Sequence, residues 1–325
     1  MKRVLLWTGG ILAALLVLVV LAFRLSPWPT VAIIQYVFAR GDAASEERLA
    51  KHVPAGIVTR ADIDYGPGPS ERLDVFVREG AAAQPTVVWV HGGAWIAGSK
   101  QGVSNYLRVL AGEGYTAIAV EYSTGHGTAY PEPVRQVNAA LGYVLAHAAE
   151  LNVDPARIVI AGDSAGAQIA SQVTLIATDP GYAEALGIAP AVPAGTIKGA
   201  ILVSGAFDLE GMGADPSWFV RAVLWAYSGI HDFMADERFR LATIVGNLTP
   251  AFPPSFITSG NGDPLEPQAH RMVERLTELG VPVDGLFFPA GLEPALGHEY
   301  QFNLDLPQGE EALAATLAFL RQTIP

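Results

Sequence analysis

The chain has 325 residues, half of them hydrophobic, with a formal net charge of −12 and no cysteine. This length and apolar content suffice for one large domain with an appended segment. The negative charge argues against a nucleic-acid-binding protein, because phosphates would repel such a surface, and the lack of cysteine excludes disulfides and thiol chemistry.

An uncharged apolar stretch begins the chain. Lys2 and Arg3 precede residues 4–23, which carry no charge and end at Arg24. At about 1.5 Å per residue a helix of this length covers roughly 30 Å, the thickness of a bilayer core, so we predict a single membrane anchor over residues 1–27. The alternative is a cleaved signal peptide and a secreted protein, but no A-x-A-like site follows the stretch. The basic residues at its start predict a cytoplasmic N-terminus, with the remainder of the chain extracytoplasmic.

Residues 28–60 form a linker whose apolar part, 31–39, is expected to lie on the membrane or to fold over the following domain as part of a cap. From residue 61 to 325 the chain alternates between strand and helix patterns. We predict strands at 72–77, 86–90, 116–121, 157–161, 200–206, 256–260 and 285–288. We predict helices at 103–111, 132–150, 165–178, 266–279 and 310–322. This alternation indicates an α/β fold with a mostly parallel sheet covered by helices on both faces.

A glycine pair follows the predicted strand 86–90, where His91 to Trp95 read His-Gly-Gly-Ala-Trp. In serine acyl transfer, negative charge develops on a carbonyl oxygen, and backbone N–H groups must point at it. Gly92 and Gly93 can donate such groups, because no side chain obstructs them. We expect His91 to brace this loop by hydrogen bonding, and Trp95 to line a substrate pocket.

Residues 162–166 read Gly-Asp-Ser-Ala-Gly and match the pattern G-x-S-x-G. They stand between the predicted strand 157–161 and the predicted helix 165–178, which is the context of a nucleophile elbow. Ser164 is therefore the candidate nucleophile, and the N–H of Ala165 the third candidate oxyanion donor. The alternative is an ordinary helix entry with Ser164 as its N-cap.

Residues 209–251 interrupt the alternation with an aromatic-rich insertion. Loops of this length in a compact domain are commonly lids or binding elements, so we predict a cap with helices at 217–228 and 236–244. Trp218 and Trp225 are candidate substrate-binding residues of this cap. The alternative is that the cap aromatics only attach the cap to the sheet.

A base and an orienting acid are expected after the nucleophile, in the order serine, acid, histidine. Asp263 follows the predicted strand 256–260, and His298 lies in the loop after the last predicted strand. Asp263 could equally cap the next helix. Asp208 is a rival acid but comes one strand too early, and His270 lies within a predicted amphipathic helix, where we expect solvent exposure.

Together these residues resemble the α/β-hydrolase superfamily, and within it the bacterial esterases related to hormone-sensitive lipase. The resemblance covers residues 61–325. It rests on His-Gly-Gly at 91–93, the elbow at 162–166, Asp-Pro-Leu at 263–265, and His298. The resemblance implies an α/β-hydrolase fold in which residues 61–325 form the catalytic domain.

The resemblance also implies an acyl-serine mechanism on small carboxylic esters, without metal or organic cofactor. Ser164 would attack the ester carbonyl while His298 takes its proton, and Asp263 would orient the imidazole. The partners expected are therefore a small ester and, through the N-terminal helix, a membrane.

Three positions depart from the family pattern. Ala94, Pro267 and Glu299 stand where a third glycine, an acidic residue and a glycine are common. The first departure makes the loop similar also to the HGGxW pattern of arylformamidases, which leaves an amidase as an alternative function. A non-catalytic ligand-binding protein on the same fold is a third reading, although all members of the expected triad are present.

Overall fold

The structure, a computed structural model, describes residues 2–325. Its strands are β1 (Ile57–Asp64), β2 (Arg72–Arg78), β3 (Gln84–Val90), β4 (Thr116–Val120), β5 (Val153–Asp163), β6 (Ile197–Val203), β7 (Ser255–Thr258) and β8 (Val283–Leu286). They form one sheet in the order β1-β2-β4-β3-β5-β6-β7-β8. The six strands β4, β3, β5, β6, β7 and β8 run parallel to one another. At one edge of the sheet, β2 pairs antiparallel with β4, and β1 pairs antiparallel with β2. The predicted mostly parallel sheet is confirmed.

The helices are α1 (Lys2–Leu25), α2 (Trp28–Leu49), α3 (Ser104–Gly112), α4 (Glu132–Ala146), α5 (Ala165–Thr178), α6 (Pro180–Leu186), α7 (Leu209–Ala214), α8 (Trp218–Ser228), α9 (Glu237–Arg240), α10 (Glu266–Glu278) and α11 (Pro307–Thr323). They cover both faces of the sheet. Val88 and Val90 of β3 pack in one hydrophobic cluster with α4, α5 and α10, whereas Val87 and Trp89 pack in the other with α3 and α11. Because both faces are buried, the central strands are continuous apolar runs.

Several predicted elements differ from the structure. The strand predicted at 200–206 lies at Ile197–Val203, and the helix predicted at 132–150 ends at Ala146. The last strand lies at Val283–Leu286 rather than 285–288, because it pairs residue by residue with the short strand β7. The cap helix predicted at 236–244 is only Glu237–Arg240. It ends early because the backbone N–H of Ile244 bonds to Phe207 O at 2.8 Å, outside any helix.

The N-terminal helices α1 and α2 meet at a sharp bend. Among the described residues, no single helix is long and apolar enough to cross a membrane. Taken together, the segments Gly10–Leu25 and Trp28–His52 are long and apolar enough to span a membrane, but a bend of 82° separates them. The anchor predicted over residues 1–27 therefore stays a proposal.

Helix α2 contains the apolar stretch 31–39 and packs onto the main domain. Val31 and Ile34 are buried, and Gln35 Nε2 donates to Ile96 O at 2.7 Å. Since Ile96 belongs to the loop after β3, this contact places α2 over the edge of the sheet where the candidate catalytic residues lie.

Candidate active site

The turn between β5 and α5 holds Ser164 in a strained conformation. Its φ of 51° and ψ of −120° are unusual for a residue with a side chain, and its N–H donates to Val203 O at 2.9 Å. Small neighbours are required, since a Cβ on Gly166 would lie 2.1 Å from Val90 O and one on Gly162 would lie 2.6 Å from Gly166. Ser164 makes no side-chain cap hydrogen bond to α5. Its hydroxyl is thus directed elsewhere, as an elbow requires.

Ser164, His298 and Asp263 come together at the carboxyl edge of the sheet. Ser164 Oγ lies 3.0 Å from His298 Nε2, and His298 Nδ1 lies 3.0 Å from both carboxylate oxygens of Asp263. The histidine side chain is 36% exposed, whereas the Asp263 side chain is fully buried. The geometry is that of a nucleophile, a base and an orienting acid.

Asp263 is held as an anion by its surroundings. Burial opposes its ionisation, but the hydrogen bond and charge of His298, together with hydrogen bonds such as that from the Leu265 N–H, outweigh burial, so the pKa of Asp263 lies below its usual value. Ser259 Oγ donates to one of its oxygens and the N–H of Leu265 to the other, each at 2.9 Å. The contact to Leu265 means that the carboxylate also stabilises the turn leading into α10.

The rival candidates lie apart from this group. Asp208 caps α7 through the N–H of Gly211 at 2.9 Å, and its other oxygen pairs with Arg271. The ring of His270 stacks on Phe287 at 4.0 Å, with its side chain 49% exposed. Asp208 is therefore a structural carboxylate, and His270 is partly exposed as expected.

The oxyanion loop corrects one prediction. The N–H of Gly92 donates to Asp163 Oδ2 at 2.7 Å, so Gly92 is not a free oxyanion donor. Within residues 2–325, no protein acceptor takes the N–H groups of Gly93, Ala94 or Ala165. Ala94 was missed because its role depends on its φ of 53°, which the residue type does not reveal. The candidate donors are accordingly Gly93, Ala94 and Ala165, the last at the N-terminus of α5, where the helix dipole adds positive potential.

His91 braces the loop, as predicted. Its Nδ1 lies 2.7 Å from Gly92 O, its Nε2 lies 3.2 Å from Glu121 Oε1, and its ring stacks on Tyr122 at 4.3 Å. Burial disfavours the charged imidazole, but Glu121 more than offsets this effect, and the pKa of His91 lies above its usual value. An ion pair between the buried imidazole and Glu121, whose side chain is 18% exposed, thus supports the loop.

A cavity of about 780 Å³ opens above Ser164. Helix α2, the cap helices and the oxyanion loop enclose it. Its apolar walls include Phe38, Met212, Phe219, Val223, Leu224 and Leu265. Arg48, Asp42 and Glu299 are ionisable residues of its lining. A mostly apolar cavity with few polar groups suits a small organic ligand.

Of the three tryptophans predicted to bind substrate, one lines the cavity and two do not. Trp95 lines the cavity, although its side chain is mainly packed: it is 4% exposed and its ring stacks on Tyr227 at 4.9 Å. Trp218 is 72% exposed, and Trp225 packs edge-on against His231 at 4.5 Å. In the part of the chain that the structure describes, neither of these two lines the cavity, so both predictions are wrong. The neighbouring residue Phe219 takes that position, because the helix turns Trp218 outward.

A family profile described as an alpha/beta hydrolase fold matches residues 87–292, which include the elbow, the oxyanion loop and Asp263. The chain belongs to this alpha/beta hydrolase family. It is 30% identical over 244 residues to the carboxylesterase NlhH of Mycobacterium tuberculosis, covering 74% of each chain. It is 26% identical over 223 residues to an acetyl esterase of Salmonella paratyphi B, covering 66% of each.

Solved structures agree on the fold of this alpha/beta hydrolase. Esterase B from Lactobacillus rhamnosis superposes with a TM-score of 0.79 at 21% identity, over 91% of this chain and 96% of that one. The thermophilic carboxylesterase EstE1 gives 0.69 at 22% identity, over 92% and 98%. At these identities the likeness concerns the fold alone.

Proposed function

We propose that this alpha/beta hydrolase cleaves small apolar carboxylic esters through an acyl-enzyme formed on Ser164. Carboxylic ester hydrolysis is the activity named for its curated relatives in Mycobacterium and Salmonella. The observation that carries the proposal is the continuous chain of contacts from Ser164 Oγ through His298 to Asp263, each of 3.0 Å, at the floor of an apolar cavity.

In the acylation step, Ser164 Oγ attacks the ester carbonyl while His298 Nε2 takes the hydroxyl proton. The carbonyl oxygen becomes an anion, which the N–H groups of Gly93, Ala94 and Ala165 would bind; one such donor contributes about 3 kcal/mol. When the tetrahedral intermediate collapses, the C–O bond to the alcohol breaks, and the imidazolium returns its proton to the leaving alkoxide. Asp263 stabilises the imidazolium throughout.

In the deacylation step, water replaces the alcohol. His298 Nε2 takes a proton from the water as its oxygen attacks the acyl carbon, and the same donors bind the oxyanion. The bond to Ser164 then breaks, the serine oxygen recovers the proton, and a carboxylic acid leaves. The His298 side chain is 36% exposed, so water can approach the imidazole.

The arylformamidase alternative rests on the similarity of residues 91–95 to the HGGxW pattern, whose tryptophan is Trp95 here. Its Nε1 instead donates to Gln168 Oε1 at 2.9 Å, which leaves no indole donor for a formamide. Within the part of the chain that the structure describes, no other contact favours an amide over an ester. The non-catalytic alternative does not explain why all three triad groups lie within hydrogen-bonding distance.

The direct test is hydrolysis by the purified full-length protein. We expect turnover of a short p-nitrophenyl ester and much lower turnover of an N-formyl aromatic amine. Equal or higher turnover of the formyl amine would favour the amidase, and no turnover of either substrate would argue against an enzyme.

We further propose that α1 anchors the protein in a membrane, with the hydrolase on the extracytoplasmic side. The support is a 24-residue helix in which the described side chains, from residue 10 onward, are widely exposed, Leu12 and Leu16 among them at 66% and 65%. Exposed aliphatic side chains on this scale are unfavourable in water and favourable in lipid. The bend of 82° would then lay α2 along the membrane surface beside the cavity mouth.

A further inference from the structure

Helix α2 exposes apolar side chains on a face that does not pack on the main domain. Val31 and Ile34 are buried against the domain, whereas Ile33, Tyr36 and Val37 stand on a different face and are each 57% to 60% exposed. A helix that only covers a domain in water carries polar residues on its outer face. The outer face of α2 is therefore suited to an apolar surrounding.

This outer face ends in a basic residue. Ile33, Tyr36, Val37 and Arg40 follow the spacing i, i+3, i+4 and i+7, so their side chains lie along one stripe of the helix. The guanidinium of Arg40 lies 4.6 Å from the centroid of the Tyr36 ring. Helices that lie in a membrane interface have this composition, because the aromatic ring sits at the depth of the headgroups while the long basic side chain reaches the phosphates.

The cap adds a tryptophan beside the same helix. Trp218 is the first residue of α8, which packs against α2, and its side chain is 72% exposed. Its ring meets the ring of Phe219 edge-on, with 6.2 Å between the centroids, and Phe219 lines the catalytic cavity. Tryptophan is enriched at membrane interfaces, because most of its ring is apolar and its N–H group can bond to headgroups.

We call the four exposed residues Ile33, Tyr36, Val37 and Trp218 the rim patch. The patch is joined to the catalytic cavity at two points. Val37 belongs both to the patch and to the cavity wall, and Trp218 contacts the wall residue Phe219. Apolar surface therefore extends from the outside of the protein into the chamber above Ser164.

The neighbouring helix α1 indicates what covers the rim patch. Only Ser26 and Pro27 separate α1 from α2, and the described side chains of α1 are apolar and widely exposed. If α1 crosses a bilayer, the bend of 82° places α2 nearly in the plane of that bilayer. A bilayer can cover both apolar surfaces at once, whereas a protein partner seated on the rim patch would leave α1 in water.

We propose, on the basis of the esterase function above, that the rim patch rests on a lipid bilayer and that the substrates are esters dissolved in that bilayer, which enter the cavity past Val37.

Entry directly from lipid removes a large barrier for such esters. Each methylene group prefers an apolar surrounding to water by about fourfold, so an ester with a long alkyl chain is scarce in water. A cavity mouth that touches lipid receives the ester at its concentration in the bilayer. The bond that breaks and the proton transfers are those given for the esterase reaction. The rim patch affects the delivery of the substrate, and Ser164 and His298 carry out the chemistry.

The test compares two acetate esters with the full-length protein in phosphatidylcholine vesicles. p-Nitrophenyl acetate is supplied in water, and hexadecyl acetate is dissolved in the vesicle membrane. The variant combines Ile33→Ser, Tyr36→Ser and Trp218→Ser, and leaves Val37 in place because it lines the cavity. We expect the variant to hydrolyse p-nitrophenyl acetate at the wild-type rate and hexadecyl acetate at least about tenfold more slowly, because three contacts with lipid are lost.

A matched control replaces exposed apolar residues elsewhere. Val58 and Ile230 are each 39% exposed, and neither belongs to the described lining of the catalytic cavity. The double variant Val58→Ser, Ile230→Ser should hydrolyse both esters at the wild-type rates. If the triple variant does not fold, Trp218→Ser alone, at the most exposed position of the rim patch, must slow the hydrolysis of hexadecyl acetate about threefold without affecting p-nitrophenyl acetate.

Three results would overturn the proposal. They are hydrolysis of hexadecyl acetate by the triple variant at the wild-type rate, an equal loss on both esters, and the same selective loss in the control. A second copy of the chain on the rim patch would give the first result, together with a wild-type dimer in detergent that the triple variant does not form. If wild type cleaves p-nitrophenyl acetate but not hexadecyl acetate, only the bilayer substrate is wrong. If wild type cleaves neither ester, the esterase function itself fails.

Discussion

Gln168 Oε1 accepts the indole N–H of Trp95 at 2.9 Å, which ties the oxyanion loop to the helix that follows the nucleophile. The amide of the same glutamine donates to Ala242 O at 2.7 Å, and its side chain is completely buried. One residue thus connects the oxyanion loop, α5 and the cap. A change at Ala242 in the cap would therefore reach Trp95 through two hydrogen bonds.

Trp95→Phe removes the indole N–H and leaves Gln168 Oε1 buried without its donor. We expect a loss of about 1–3 kcal/mol in the free energy of unfolding, with little change in the preference among acyl chain lengths. Chemical denaturation and rates on a series of p-nitrophenyl esters measure the two effects. Trp218→Phe, at an exposed position, is the control and should keep wild-type stability. A changed chain-length preference at wild-type stability would make Trp95 a pocket residue instead.

Ser164→Ala removes the nucleophile and nothing that holds the fold, because its hydroxyl contacts His298 and makes no helix cap. We expect kcat to fall by about 10⁴ to 10⁶, with an unchanged melting temperature. Substantial hydrolysis by the purified variant would end the assignment of the nucleophile.

Gly166→Ala places a Cβ 2.1 Å from Val90 O and 2.4 Å from His91 O. Because both contacts are backbone atoms of the sheet, no side chain can move to make room. We expect a loss of several kcal/mol of stability or no soluble protein. Gly246→Ala, where no heavy atom lies within 4 Å of the new Cβ, should melt like wild type. Similar melting of the two variants would show that the elbow relaxes more easily than its packing indicates.

Glu46 links stability to pH. Burial raises its pKa from 4.5 to about 7 in the folded protein, so the folded state binds the proton more tightly than the unfolded state. The contribution of protonated Glu46 to the free energy of unfolding is complete below pH 4.5, the pKa of the unfolded chain. It is lost as the pH rises through about 7, the pKa of the folded protein. We expect the melting temperature of Glu46→Gln to fall less than that of wild type over this interval. The exposed Glu47→Gln should follow wild type, and an identical slope in both variants would contradict the linkage.

The proposed anchor predicts that the protein sediments with membranes and is released by detergent but not by alkaline washing. Two arginines at Leu15 and Leu16 cost about 5–7 kcal/mol of insertion free energy and should move the protein to the soluble fraction. A single arginine at the exposed Ile230 should not. Recovery of wild type in the soluble fraction would contradict the anchor.

The sequence located the candidate triad because each member follows a strand, and carboxyl ends of parallel strands meet at one edge. It did not reveal where the N–H of Gly92 points, since that depends on the buried Asp163 from another strand. The sequence analysis also missed strand β1, because its exposed and partly buried residues do not alternate with a period of two. This segment is a strand because it pairs with β2.

Glu299 illustrates the same limit. The sequence marked it as a departure from the family pattern, but residue type alone could not place its carboxyl group 3.5 Å from His298 Nε2, because the backbone of the loop sets that direction. The sequence analysis missed the outward orientation of Trp218 for a similar reason. A helical pattern predicts the spacing of buried and exposed positions, but it does not show which face of the helix a neighbouring element covers.

Helix α2 supplies Phe38, Asp42 and Arg48 to the chamber above Ser164 while remaining continuous in sequence with the N-terminal helix. A shortened form produced by proteolytic trimming before β1 would retain the nucleophile and its partners yet expose them in an open trench. In that open trench a bulky ester would meet no wall from α2, and a small ester would lose a wall that orients it.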